Sequence, residues 1–189
     1  LEIRDLFQNT TIKNLSDKLR ISSAYDENLV DRIEKNISNI DSLSTISDDA
    51  LTSLIYYLVR NNKENTFAII SLGGFIEFYH LALNLVGDYK AENQTIQRII
   101  DQKIAFENLI KYSYEYSDDP NVSSCLETVE PLSDFLKNIT VVKAKTTVTK
   151  SDDGRIIVGG GDKLKITEEE FNELKKLVTQ IREKIIQIS

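Results

Sequence analysis

The chain has 189 residues, enough to bury one generous hydrophobic core. Hydrophobic residues make up 41% and charged residues 28%, a globular balance that excludes wholesale disorder. Thirty acidic against 23 basic side chains give a net charge of −7 with no dense Lys/Arg run, which speaks against nucleic acid or an anionic membrane surface as partner.

One histidine (His80) and one cysteine (Cys125) rule out an intrachain disulfide and any protein-only zinc site of four cysteines, of paired cysteines and histidines, or of three histidines. They leave open a single Cys–His pair or a carboxylate-based metal site. Methionine is absent, and Leu1 opens directly into helix-like sequence without a signal-like segment or lipid-attachment cysteine. The expectation is a single helical domain over 1–189 that lacks an N-terminal signal or a further N-terminal portion. Two prolines and seven glycines leave no room for a long flexible linker.

Ile3, Leu6, Phe7, Ile12, Leu15 and Leu19 recur at helical spacing and predict a first amphipathic helix ending near Arg20. Ser22, Ser23 and Asp26 offer caps for a second, with Leu29, Val30, Ile33 and Ile37 inward. A third starts at Asp41, turns Leu43, Ile46, Ala50, Leu51, Leu54, Ile55 and Leu58 inward, and fades at Asn61-Asn62. Lys63 to Val86 is apolar nearly all round and is expected to sit centrally, stopped by Gly87. It contains Glu77, His80 and Asn84, so it reads as a core helix and not as a membrane span.

A fifth helix is expected from about Asn93 to Tyr116, with Ile96, Ile99, Ile100, Ile104, Phe106, Leu109 and Ile110 inward. Asp118-Asp119-Pro120 ends it and suits the first turn of a sixth, Asn121 to Lys137, which Pro131 should kink or break near Glu127 to Glu130. Thr140 to Thr149 is β-branched and alternating, Ser151-Asp-Asp-Gly154 is a hairpin turn, and Arg155 to Val158 returns. Thr167 and Glu170 form a capping box for the last helix, whose Phe171, Leu174, Val178, Ile181, Ile185 and Ile188 make a heptad-like seam. The fold class expected is mainly α: an antiparallel, up-and-down bundle of six to seven helices with one β-hairpin (about 140–158) before the C-terminal helix.

Glu77 and His80 lie three apart on one helix face, the spacing used by metal-binding bundles, but a second Glu-x-x-His is impossible with one histidine. The plainer reading, and the one favoured, is that they sit at the edge of the central helix or hydrogen-bond internally. Gly73 and Gly74 cost helix propensity, which either close helix–helix approach or room for a ligand would explain. Tyr79, with Tyr56, Tyr57, Tyr89, Tyr112, Tyr114 and Tyr116, belongs to a tyrosine set that suits a core rim or a binding surface. Cys125 sits among apolar helix positions near Glu127 and Glu130, which keeps a thiol protonated. Gly159-Gly160-Gly161 lacks phosphate-loop spacing and reads as a flexible turn between hairpin and helix.

Two stretches carry a resemblance. One is Leu15-Ser-Asp-Lys-Leu19 with Ile21 to Asn36 and Asp41-Ser42-Leu43. The other is Leu72-Gly-Gly-Phe-Ile-Glu77 leading to Asp101-Gln102-Lys103 and Glu107-Asn108-Leu109-Ile110. With the ribbon and the final Thr-Glu-Glu-Glu-Phe helix, they resemble a family of uncharacterised exported proteins, often lipoproteins, of Bacteroidetes bacteria. The resemblance runs from about Leu15 to the end and implies a cell-envelope location, periplasmic or at the surface. Membrane attachment would then come only through a lipid anchor outside this chain, and no catalytic residue is implied.

Three functions remain open. One is a non-enzymatic envelope protein engaging a protein partner or itself, for instance through the Phe171–Ile188 seam. Another is a small-molecule binding module with a pocket near Gly73, Gly74, Glu77, Tyr79 and His80. The third is a metal protein or enzyme using Glu77 and His80 with a carboxylate such as Asp101 or Glu107. No catalytic residue, metal ligand set or cofactor is assigned.

Overall fold

A computed structural model describes residues 28–143, 146–150, 156–160 and 163–188. The expected first helix, the caps Ser22, Ser23 and Asp26, and the turn Ser151–Gly154 lie outside the described residues. The chain divides into two compact units, Leu1–Phe67 and Ala68–Ser189, the division falling inside a helix.

In the first unit, α1 (Leu29–Lys35) and α2 (Ile40–Arg60) pack on each other, and Arg32 donates to Asp49 at 2.7 Å across them. Asn39 caps α2 by accepting from the Ser42 amide. Ile46, Leu54 and Leu58 are buried, whereas Leu51 and Ile37 are exposed. Ile37 faces solvent because α1 ends two residues before it, so the helical spacing no longer applies. Asn62, at φ 52°, turns the chain out of α2 in the left-handed region that asparagine tolerates.

Helix α3 (Glu64–Val86) crosses into the second unit, and Gly87 ends it with φ 74°. Its Ala68, Leu72, Ile76, Tyr79 and Leu83 form one buried face. This face joins Ile96, Ile99 and Ile100 of α4 (Gln94–Asp101) and Phe106 of α5 (Lys103–Tyr114). Val122, Leu126, Val129, Leu132 and Leu136 of α6 (Pro120–Lys137) complete the cluster with the last helix. Phe75 stacks between Tyr79 and Phe106, with ring centroids 5.1 and 4.8 Å away.

Two expectations need correction here. The fifth helix is two helices, broken at Gln102, and the turn rotates the second segment so that Ile104 faces outward at 65% exposure. Pro131 does not break α6: the helix continues through it from Pro120 to Lys137, and the Glu127 carbonyl that loses its partner belongs to an exposed residue. The Asp119 cap and Pro120 at the first turn are as expected.

The hairpin lies before the C-terminal helix, but its return arm runs further than 158. Strand β1 (Thr140–Val142) pairs antiparallel with β4 (Lys163–Lys165), and β2 (Thr146–Lys150) with β3 (Ile156–Gly160). The registers of the two ladders differ by one residue, the offset that a β-bulge gives. Gly159 and Gly160 are therefore strand residues opposite Thr147 and Thr146, not a flexible turn. Glycine inside a strand commonly marks such an irregularity.

Helix α7 (Glu168–Ile188) starts in a complete capping box. The Glu170 amide donates to Thr167 Oγ1 at 3.2 Å, and the Thr167 amide donates to Glu170 Oε2 at 2.7 Å. Tyr89 donates to the Ile166 carbonyl at 2.8 Å and its ring packs on Phe171, fixing where the ribbon hands over to α7.

Candidate functional site

On a helix, residues four, seven and eleven apart share one stripe. Gly73, Glu77, His80 and Asn84 therefore form a polar line along α3, and Lys175, Thr179 and Arg182 form another along α7. The two lines meet. Arg182 donates from Nε to Glu77 Oε2 at 2.5 Å and from Nη2 to Oε1 at 3.1 Å, a two-pronged pair. One turn on, His80 Nδ1 lies 3.4 Å from Thr179 Oγ1. Because 77 faces 182 and 80 faces 179, the two helices run antiparallel.

Thr179 spends its own proton on the Lys175 carbonyl at 2.9 Å, so its oxygen is left to accept from His80 Nδ1–H. The Asn84 amide donates to the His80 carbonyl at 2.8 Å, and its nitrogen lies 3.3 and 3.4 Å from His80 Nε2 and Nδ1. The Arg182 hydrogen bonds hold the Glu77 carboxyl below the usual carboxylate range, against the opposing effect of burial. A carboxylate so held is a poor general base, and its oxygens are already occupied. The arrangement joins two helices; it does not present a reactive group.

The carboxylates expected to complete a metal site with Glu77 and His80 do not join them. Asp101 accepts from Gln97 on its own helix and Glu107 sits 3.8 Å from Lys103, so neither supplies the third ligand. Among the described residues no three His, Cys, Asp or Glu side chains gather. Cys125 is half-buried, and burial followed by the charge of Asp119 pushes its thiol up, which leaves it protonated and unreactive.

The proposed ligand pocket also loses members. Tyr79 is fully buried and donates to the Ile99 carbonyl at 2.7 Å, on the core side of α3 away from Glu77. Burial holds its phenol well above the ordinary value. Among the described residues nothing lies within 4 Å of a Cβ placed at Gly73 or Gly74, so no close approach of a described helix explains these glycines. The seam on α7 packs within the bundle, the reading its short length favours, and is not free as an interaction surface: Phe171, Leu174, Val178 and Ile181 are core residues at 0, 0, 0 and 2% exposure, and Ile185 is half-buried against them. The Ile188 side chain lies outside the described residues.

Two features escaped the sequence reading. Thr179 and Arg182 repeat on α7 the three-residue spacing of Glu77 and His80, a signal available only once the helices are paired. The second is an outward stripe on α3. Gly74, Phe78, Leu81 and Leu85 follow 4-3-4 spacing, and Phe78, Leu81 and Leu85 are 56, 51 and 86% exposed. This corrects the expectation that the helix is buried all round. A separate open cleft of about 340 Å³ lies between α5 and α6, lined by Glu107, Lys111, Tyr114, Glu130, Ser133 and Lys137; of the residues the sequence put forward for a ligand or metal site it includes Glu107 alone, without Glu77 or His80.

No protein-family model matches the chain, and no curated protein or solved structure is significantly similar to it.

Proposed function

We propose that this chain is a non-enzymatic interaction protein of the cell envelope, and that the outward stripe of α3 receives an amphipathic helix of a protein partner. The observation that carries the reading is the exposed Gly74–Phe78–Leu81–Leu85 line on a helix whose opposite face is core. Apolar side chains at heptad spacing offer the knobs that a second helix needs, and Gly74 leaves a hole in the same line. From Asn65 to Gly87 the only formal charge is Glu77, which Arg182 neutralises. The seat is thus uncharged and suits an apolar helix face, with no part for charge selection. The envelope location rests on the family resemblance and is tested by fractionating cells that express the full gene.

A photo-crosslinking side chain at Leu81 or Leu85, introduced in the source organism, tests the docking. The same discrete adduct from both positions, lost when Phe78 is changed to Asp, is the expected result. Adducts no stronger than those from an exposed control position such as Lys176 would sink the reading.

A further inference from the structure

A serine or threonine inside a helix commonly turns its hydroxyl back on the carbonyl four residues earlier. Ser113, Thr128 and Thr179 do so, at 2.9, 2.8 and 2.9 Å. Ser133 on α6 does not. It is only 9% exposed, and its hydroxyl has no hydrogen-bond partner among the described residues. Every described side-chain oxygen or nitrogen that is sealed from solvent has a partner, so the Ser133 oxygen must reach solvent. It does so in the cleft between α5 and α6, whose wall Ser133 helps to form. A polar atom fixed in a nearly buried wall, free to donate and to accept, is the kind of group that orients a small ligand.

The rest of the cleft says what kind of molecule fits. Its volume of about 340 Å³ lies at the small end of ligand pockets, near the lower bound of about 300 Å³, and suits a molecule of amino-acid size. Half-buried Ile110 and buried Leu126 give it apolar surface, and the Tyr114 ring stands exposed at its edge. Each helix supplies one charge of each sign, Glu107 and Lys111 from α5, Glu130 and Lys137 from α6. Two of the four are engaged on their own helices: Glu107 lies 3.8 Å from Lys103, and Lys137 lies 3.0 Å from Asp134. Lys111 and Glu130 have no ion-pair partner among the described residues. A lone anion would gain Lys111 but meet Glu130, and a lone cation the reverse. A ligand that carries both charges satisfies both walls.

We propose that the α5–α6 cleft binds a free zwitterionic amino acid with an apolar side chain. Lys111 takes the carboxylate, with a hydrogen bond added by the Ser133 hydroxyl, and Glu130 takes the ammonium. The side chain of the ligand lies against Ile110, Leu126 and Tyr114. The assignment is independent of the α3 seat, which lies on another helix.

Titration of the ¹⁵N-labelled full chain with L-leucine, followed by amide chemical shifts, tests it. The same titration is run with 4-methylpentanoate, which lacks the ammonium, and with 3-methylbutylamine, which lacks the carboxylate. Saturable shifts on α5 and α6 are expected, with leucine binding about fivefold more tightly than either analogue, the effect of one charge-assisted contact at a partly open site. Lys111→Gln should bind leucine no better than the amine, and Glu130→Gln no better than the acid. Ser133→Ala should weaken leucine and the acid while leaving the amine unchanged. Amide spectra that match the parent away from the cleft show that each variant is folded; should one not fold, the three ligands compared on the parent chain decide alone. No saturable shift on α5 and α6, leucine bound no more tightly than an analogue, or binding indifferent to the Lys111 and Glu130 changes would each overturn the proposal. None of these outcomes bears on the Leu81 and Leu85 adducts, so the two readings fail separately.

Discussion

Glu77 and Arg182 form a half-exposed pair, with 44 and 33% of their side-chain surfaces open to solvent. Solvent screens such a pair, so its effect on overall stability is small and its clearest signature is in pH. The carboxyl pKa is depressed in the folded chain, which means folding favours the ionised form. The contribution is therefore present above the unfolded pKa and is lost as pH falls from about 5 through the lowered folded value. Glu77→Gln should melt slightly below the parent at pH 7, and the gap should close as the solution is acidified. Thermal melts at half-unit pH steps check this; a gap that widens in acid would show that the pair is not the source.

At the scale of the element, α3 combines a packed face with an outward apolar face, and no described residue lies within 4 Å of a Cβ at either of its two glycines. Glycine inside a helix costs about 1 kcal/mol relative to alanine because it surrenders more backbone freedom on folding. With nothing for a methyl group to strike, Gly73→Ala and Gly74→Ala should each stabilise the chain by up to about 1 kcal/mol, read from urea denaturation. Gly74→Ala is the more informative of the two, since Gly74 lies in the proposed partner seat: a stabilised chain with a weakened adduct from Leu81 would tie this glycine to docking. The same scale explains Gln102. One non-helical residue rotates α5 enough to place Phe106 inward and Ile104 outward, and no local propensity marks that choice.

For the whole molecule, the core of the second unit draws on α3, α4, α5, α6, α7 and the residues flanking the ribbon. Phe106 is fully buried and touches Phe75, so it reports on the assembly and not on α5 alone. Phe106→Ala should cost about 3–5 kcal/mol, the usual range for emptying an aromatic site in a packed core. A loss under about 1 kcal/mol, measured by denaturant unfolding, would show that the surrounding helices collapse into the space.

How much was legible beforehand follows from the range of each interaction. The helices, the Asp119–Pro120 start, the Gly87 stop and the Thr167–Glu170 box depend on residues within one or two turns, and hydrophobic spacing with capping chemistry already contains them. So does the hairpin before the last helix, though not the one-residue offset between its ladders. Glu77 and His80 were singled out by spacing, but their partners lie 105 and 99 positions away on α7, and no local pattern names Arg182 or Thr179. Tyr79 and the Phe171 seam have the residue types of a surface site and turn out to be core, because amphipathic spacing gives the buried face of a helix without saying what lies opposite. By itself the sequence determined a mainly helical, acidic chain with one β-hairpin before its last helix. Only the tertiary structure decided which apolar stripes are consumed in packing and which, like Phe78–Leu81–Leu85, are left outward, since burial depends on elements far apart in the chain.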